Sequence, residues 1–174
     1  MVYNAQPFMM ANLRLGSNHL ADDLNGIGGM NTDLGDPVYA ISLGRVIYAA
    51  YAGEGWGNMV IIEHAIGDGQ SRKYVQSVYA HLKEFYVLVG SIVRRGEVIG
   101  EVGNANGKYP AHLHFEMRES NVTDPGRGYS KKSLNRMDPT LTIKKWRGVD
   151  NDVLNLSPSV LESEENIETL EFDF

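Results

Sequence analysis

Short apolar runs separated by glycines set the rhythm of this chain. Between residues 37 and 118 the runs are rich in Val, Ile, Tyr and Ala, and none sustains the spacing of a long amphipathic helix. Pro37 to Ser42 (PVYAIS) and Arg45 to Tyr51 (RVIYAAY) flank a turn at Leu43 and Gly44. Asn58 to His64 (NMVIIEH) follows the glycine-rich GEGWG. Val75 to Leu82 (VQSVYAHL) alternates, Gly90, Gly96, Gly100 and Gly103 punctuate SIVRRGEVIGEVG, and His112 to Arg118 (HLHFEMR) alternates again. This pattern predicts strands joined by tight turns, with no strong helix and no βαβ rhythm, hence a mainly β, antiparallel domain. Residues 120–136 are polar and rich in turn formers, which predicts a long surface loop ahead of Asp138-Pro139-Thr140-Leu141.

Composition adds a boundary. The chain has 174 residues, 43% of them hydrophobic, enough for one domain with a real core. Its formal charge of -6 is unevenly placed: from Val149 onward there are eight acids and no Lys or Arg, so residues 1–148 carry 14 acids against all 16 bases. The division predicts a near-neutral body over 1–148 and an acidic tail over 149–174, which reads as a solvated extension that Ser157 and Pro158 could open with a short helix. Net acidity argues against nucleic acid as a partner held by the global field. No apolar run is long enough for membrane insertion, and the start lacks the basic flank and apolar stretch of a signal peptide.

Zero cysteines restrict any metal site to histidine and carboxylate ligands. Five histidines are present, and two arrangements stand out among them: HLADD from His19 to Asp23 and HLH from His112 to His114. Residues two apart in a strand share a face roughly 7 Å apart, so both imidazoles of HLH point at one site while Leu113 faces the core. Residues four apart in a straight strand lie about 13 Å apart, so His19 and Asp23 can share a metal only where the backbone between them turns or is helical. Spacing alone leaves Asp22 and Asp23 both open as the carboxylate. Two histidines and one aspartate leave a coordination position free, the pattern of catalytic rather than structural zinc.

The order HxxxD, a glycine-punctuated β region, Tyr79-Ala80-His81-Leu82, and GEVIGEVGNANGKYPAHLHFE resembles the lysostaphin-type (LytM-like) zinc metallopeptidases, which cut peptide bonds in bacterial peptidoglycan. Gly35-Asp36-Pro37-Val38-Tyr39-Ala40, Gly57-Asn58 and the DPTL segment extend the resemblance over about residues 18–141. It implies an antiparallel β domain with a substrate groove, of the duplicated-hybrid-motif kind, with zinc bound by His19, Asp23 and His114. It further implies His81 and His112 as catalytic histidines that are not ligands, and His64 as structural. The partner implied is a peptidoglycan peptide crosslink, and the location the cell envelope, periplasmic or secreted. Zinc would act as a Lewis acid on the scissile carbonyl and activate water. His112 would take the water's proton, and His81 would stabilise the oxyanion or share the proton work. The alternative is a non-catalytic relative acting as a wall scaffold or regulator; such relatives usually lack one of the five residues, all of which are present here. Two departures from the family pattern are Ala21, where glycine is usual, and NANGKYPA ahead of HLH.

Three further residues acquire expectations from spacing. Glu116 shares the strand face of the HLH rings, either orienting a ligand imidazole or serving as an ordinary carboxylate. Tyr79 shares the face of His81, lining the groove or packing in the sheet. Arg94 and Arg95 read as a solvated turn.

Overall fold

The alternating runs pair into antiparallel sheets. A computed structural model describes residues 2–66 and 73–147; the expected acidic tail lies outside the described residues. The strands are β1 (Val2–Gln6), β2 (Ala11–Asn12), β3 (Ser17–His19), β4 (Asp22–Gly26), β5 (Pro37–Tyr39), β6 (Gly44–Tyr51) and β7 (Asn58–Ile66). They continue as β8 (Lys73–Leu82), β9 (Glu84–Phe85), β10 (Ile92–Val93), β11 (Val98–Glu101), β12 (Leu113–Arg118), β13 (Tyr129–Ser130) and β14 (Arg136–Met137). The main sheet runs β1-β4-β12-β8-β7-β6-β10, with β14 also on β12; two three-stranded sheets, β5-β11-β9 and β13-β3-β2, flank it.

The apolar runs fill two layers on opposite faces of the main sheet. On one face Val46, Val60, Ile62, Tyr79, Phe115 and Met117 pack with Val38 and Ile99 of the β5-β11-β9 sheet. On the other, Met59, Ile61, Val78 and Ala80 form a smaller cluster beneath Trp56. β12 departs from simple alternation: His114 through Arg118 are all buried, because both faces of this central strand are covered. Its polar side chains therefore need partners inside the protein.

The sequence pattern predicts no strong helix, and the described residues contain one short helix, α1 (Pro139–Trp146). Its start is written in DPTL: the Asp138 side chain caps the helix by accepting from the Leu141 N–H at 2.8 Å, and Pro139 takes the first turn, where no N–H is required. Lys144 and Lys145 in the last turn suit the helix dipole.

His64 occupies the structural position expected of it. One ring nitrogen, Nδ1, lies 2.8 Å from the Leu43 carbonyl, and Nε2 lies 2.7 Å from Ser77 Oγ, so a neutral imidazole satisfies both. Burial lowers its pKa from 6.5 to about 4, against a smaller upward pull from the Leu43 carbonyl. The unfolded chain therefore takes up the proton first, and the stability held above pH 6.5 is lost as pH falls toward 4. The loss traceable to this residue is roughly 3 kcal/mol. Chemical denaturation from pH 7 to pH 4 should give a falling unfolding free energy, with a shallower fall in His64→Gln; equal slopes would contradict it.

Candidate metal centre

His19 and Asp23 meet because the chain changes sheets between them. β3 ends at His19, Leu20 and Ala21 form the step, and β4 begins at Asp22 in the main sheet. The separation imposed by a straight strand is thus removed by a bend rather than by a helix. Leu20 and Ala21 are fully buried, and the Leu20 N–H bonds the Gly128 carbonyl at 3.0 Å. In the main sheet Asp23 pairs with His114, and His114 pairs with Ala80, so these three project from the same face.

The two adjacent aspartates separate cleanly. Asp22 points to the other face, where its oxygens accept from the Phe8 N–H at 2.9 Å and the Thr140 hydroxyl at 2.6 Å. Asp23 Oδ1 lies 3.1 Å from His114 Nδ1 and 3.3 Å from His19 Nε2, and these two nitrogens are 3.2 Å apart. His19, Asp23 and His114 form the metal-capable group found among the described residues.

The outward hydrogen bonds decide which atoms face the centre. His19 Nδ1 donates to the Gln6 carbonyl at 3.1 Å, which leaves a lone pair on Nε2. His114 is turned the other way: its Nε2 lies 3.2 Å from Glu116 Oε1, and Nδ1 faces inward. Two nitrogens and a carboxylate oxygen thus converge without a shared donor of their own, an arrangement that a cation relieves. Tetrahedral zinc with bonds of about 2.0 Å sets its ligand atoms about 3.3 Å apart, close to the separations found here, and the donor set suits it.

Charge within the cluster follows the same logic. Burial disfavours an imidazolium at His114, but hydrogen bonds to Asp23 and Glu116 outweigh it and push the pKa up to about 9. Burial also raises the Asp23 carboxyl, and the surrounding imidazoles, His114 first, overcome this and hold it below its ordinary value. His19 is lowered by burial and by His114. The centre draws positive charge, whether as a proton or a metal ion.

His112 and His81 stand at the edge of this group. His112 Nδ1 donates to the Pro110 carbonyl at 2.8 Å, and its Nε2 lies 3.7 Å from Asp23 Oδ1. The His81 ring lies 4.8 Å from that of His112 and 5.2 Å from that of His114, between centroids. Burial, then the neighbouring imidazoles, lower His81 to about 3 and keep it neutral. Its Nδ1 donates to the Trp56 carbonyl at 3.1 Å, so Nε2 is an acceptor.

Strand alternation places Tyr79 and His81 on one face, and here the structure differs. His81 has φ 64°, a left-handed conformation that a non-glycine residue holds only under surrounding constraint. The ring consequently turns into the site, while Tyr79 packs on the opposite face, its hydroxyl accepting from the Ile41 N–H. Gly103 permits this: a Cβ there would lie 2.2 Å from the His81 carbonyl oxygen. Arg94 and Arg95 are exposed at a turn, as expected.

A cavity of about 300 Å³ opens over the five residues. Trp56, Tyr109 and Tyr129 are its aromatic walls, with ring centroids 5.2 Å from His114, 5.1 Å from His81 and 5.1 Å from His19 respectively. Spacing did not single out these aromatics. Trp56 in GEGWG and Tyr109 in GKYPAHLH sit beside recognised motifs, whereas Tyr129 lies in the segment expected to be only a surface loop.

A buried aspartate and two imidazoles, flanked by two further imidazoles in an open groove, have the composition of a hydrolytic metal centre. Residues 25–125, more than half of the chain, match Peptidase family M23, and the chain belongs to that family. The matched stretch includes His81, His112 and His114 and begins just after Asp23. Lysostaphin of Staphylococcus simulans is 36% identical over 85 residues, covering 48% of this chain and 16% of that protein. The DD-carboxypeptidase/endopeptidase Mpg of Neisseria gonorrhoeae is 42% identical over 84 residues, covering 48% and 17%. The chain thus spans about a sixth of the length of these curated relatives. Among solved structures, the catalytic domain of Staphylococcus simulans lysostaphin aligns with TM-score 0.57 at 23% identity, over 83% of this chain and 92% of that one, a likeness of fold. A zinc containing peptidase from Vibrio cholerae aligns with TM-score 0.50 at 27% identity, over 67% and 32%.

Proposed function

We propose that this protein is a zinc-dependent endopeptidase that hydrolyses peptide bonds in the crosslinks of bacterial peptidoglycan, working in the cell envelope as a periplasmic or secreted enzyme. The observation that carries the reading is the convergence of His19 Nε2, Asp23 Oδ1 and His114 Nδ1 within 3.3 Å of one another, at the floor of a groove. Membership of a peptidase family supports it, as do relatives named as an endopeptidase and as a zinc containing peptidase. The catalytic unit is residues 1–148.

In this reading His19, Asp23 and His114 hold the metal, which supplies Lewis acidity toward a peptide carbonyl and toward water. His112 turns Nε2 toward the centre, accepts a proton from the attacking water and returns it to the leaving amine. Neutral His81 also presents an acceptor, whereas an oxyanion requires a donor; its geometry therefore favours a share in the proton work over oxyanion binding. A scaffold without activity gives no reason for His112 to turn Nε2 toward Asp23 with the neutral His81 ring packed beside it and His114.

Purified sacculi test the reading. Incubation with the zinc-loaded protein should release soluble fragments with new peptide amino termini, identified by mass spectrometry. Sacculi left intact by zinc-loaded protein would favour the scaffold.

A further inference from the structure

Glu116 lies beyond the five-residue site and is completely buried. Its two oxygens are divided between different tasks. Oε1 faces His114 Nε2 at 3.2 Å, while Oε2 accepts from Arg118 Nε at 2.6 Å and Arg136 Nε at 3.1 Å. The same guanidiniums reach onward to the segment that leads to the groove: Arg118 donates to the carbonyls of Asp124 and Pro125 at 2.9 and 2.6 Å, and Arg136 to those of Pro125 and Arg127 at 3.2 and 3.3 Å. Gly128, at the end of this segment, lines the cavity.

We propose that Glu116, clamped by Arg118 and Arg136, is a positioning residue that fixes the proton of His114 on Nε2, keeps Nδ1 free for the metal, and ties that choice to the 124–128 segment, which ends at the groove. The proposal rests on the zinc reading above. An ionised carboxylate only accepts, so it demands a proton on the nitrogen it faces. Both arginines also demand an acceptor. Glutamine, nearly the same shape, meets one demand and fails the other: with its oxygen toward the guanidiniums, its NH2 faces Nε2 and drives the His114 proton to Nδ1, the atom turned toward Asp23. The buried guanidiniums hold Glu116 in place, and this explains why an acid and two bases occupy the interior of a central strand and its neighbour.

The test compares wild type, Glu116→Gln and Glu116→Asp by zinc competition against a chromogenic chelator, by nitrogen-15 NMR of the zinc-loaded histidines, and by amide exchange. Wild type should display a protected His114 Nε2–H. Glu116→Gln should bind zinc about 10- to 100-fold more weakly, with faster exchange over 124–128, and Glu116→Asp, still a pure acceptor, should recover much of the affinity. A merely structural role would speed exchange while leaving zinc affinity and the Nε2 proton unchanged, and that result overturns the proposal. If Glu116→Gln fails to fold, a wild-type His114 carrying its proton on Nδ1 overturns it alone. Wild type that takes up no zinc overturns the functional reading as well, whereas zinc uptake with equal affinity in all three proteins overturns only this inference.

Discussion

Alanine at position 112 should lower peptide hydrolysis by about a hundredfold to ten-thousandfold while the protein keeps its zinc. His112 lies outside the three-atom cluster, and its Nδ1–H is committed to the Pro110 carbonyl, which aims Nε2 at the centre. Truncation removes the group positioned to carry a proton and leaves His19, Asp23 and His114 untouched. The side chain is only 12% exposed and its ring meets those of His81 and Tyr109, so a thermal unfolding curve on the same variant separates lost chemistry from lost packing. Rates on sacculi or a defined crosslinked peptide, with metal content measured on the same samples, check the expectation. Near-normal hydrolysis with zinc in place would remove His112 from the mechanism. His81→Ala should act in the same direction.

Asp23→Ala and its neighbour Asp22→Ala should fail in different ways. Without Asp23 the two inward nitrogens lose the oxygen that completes the donor set, and zinc affinity should fall more than about a hundredfold, beyond the usual effect of an outer-shell partner. Hydrolysis should fall with it. Asp22 has no part in the cluster: it joins Phe8 and Thr140 on the opposite face. Its loss should cost about 1–3 kcal/mol of stability through two abandoned donors, with zinc affinity retained. Chemical denaturation beside metal titration separates the two. Zinc binding lost in Asp22→Ala but kept in Asp23→Ala would reverse the ligand assignment.

The strands from Pro37 to Arg118 were legible because short apolar runs and glycine turns carry a local signal. The N-terminal strands carry none: Val2 and Tyr3 are exposed, and β4 holds two aspartates because its place is set by pairing with β12. Helix α1 was hidden by its length and by exposed Leu141, although the Asp-Pro start announces it. Within the site, HxxxD and HxH gave the residue types, but the fold supplied the bend at Leu20 and Ala21 and the orientation of each ring. His81 defeated alternation because its left-handed backbone reverses the face on which the ring appears. The segment over 120–136 is the largely exposed loop expected, but the clamp by which Arg118 and Arg136 pin part of it from inside escaped sequence reasoning, since side-chain contacts of that kind have no local period.

The most direct measurement is zinc titration of chelator-stripped wild type and Asp23→Ala, with sacculus digestion followed at each point. Wild type should bind one zinc per chain and release fragments in step with occupancy, whereas Asp23→Ala should show neither tight zinc nor release. Equal digestion by stripped and loaded wild type, or equally tight zinc in Asp23→Ala, would contradict it.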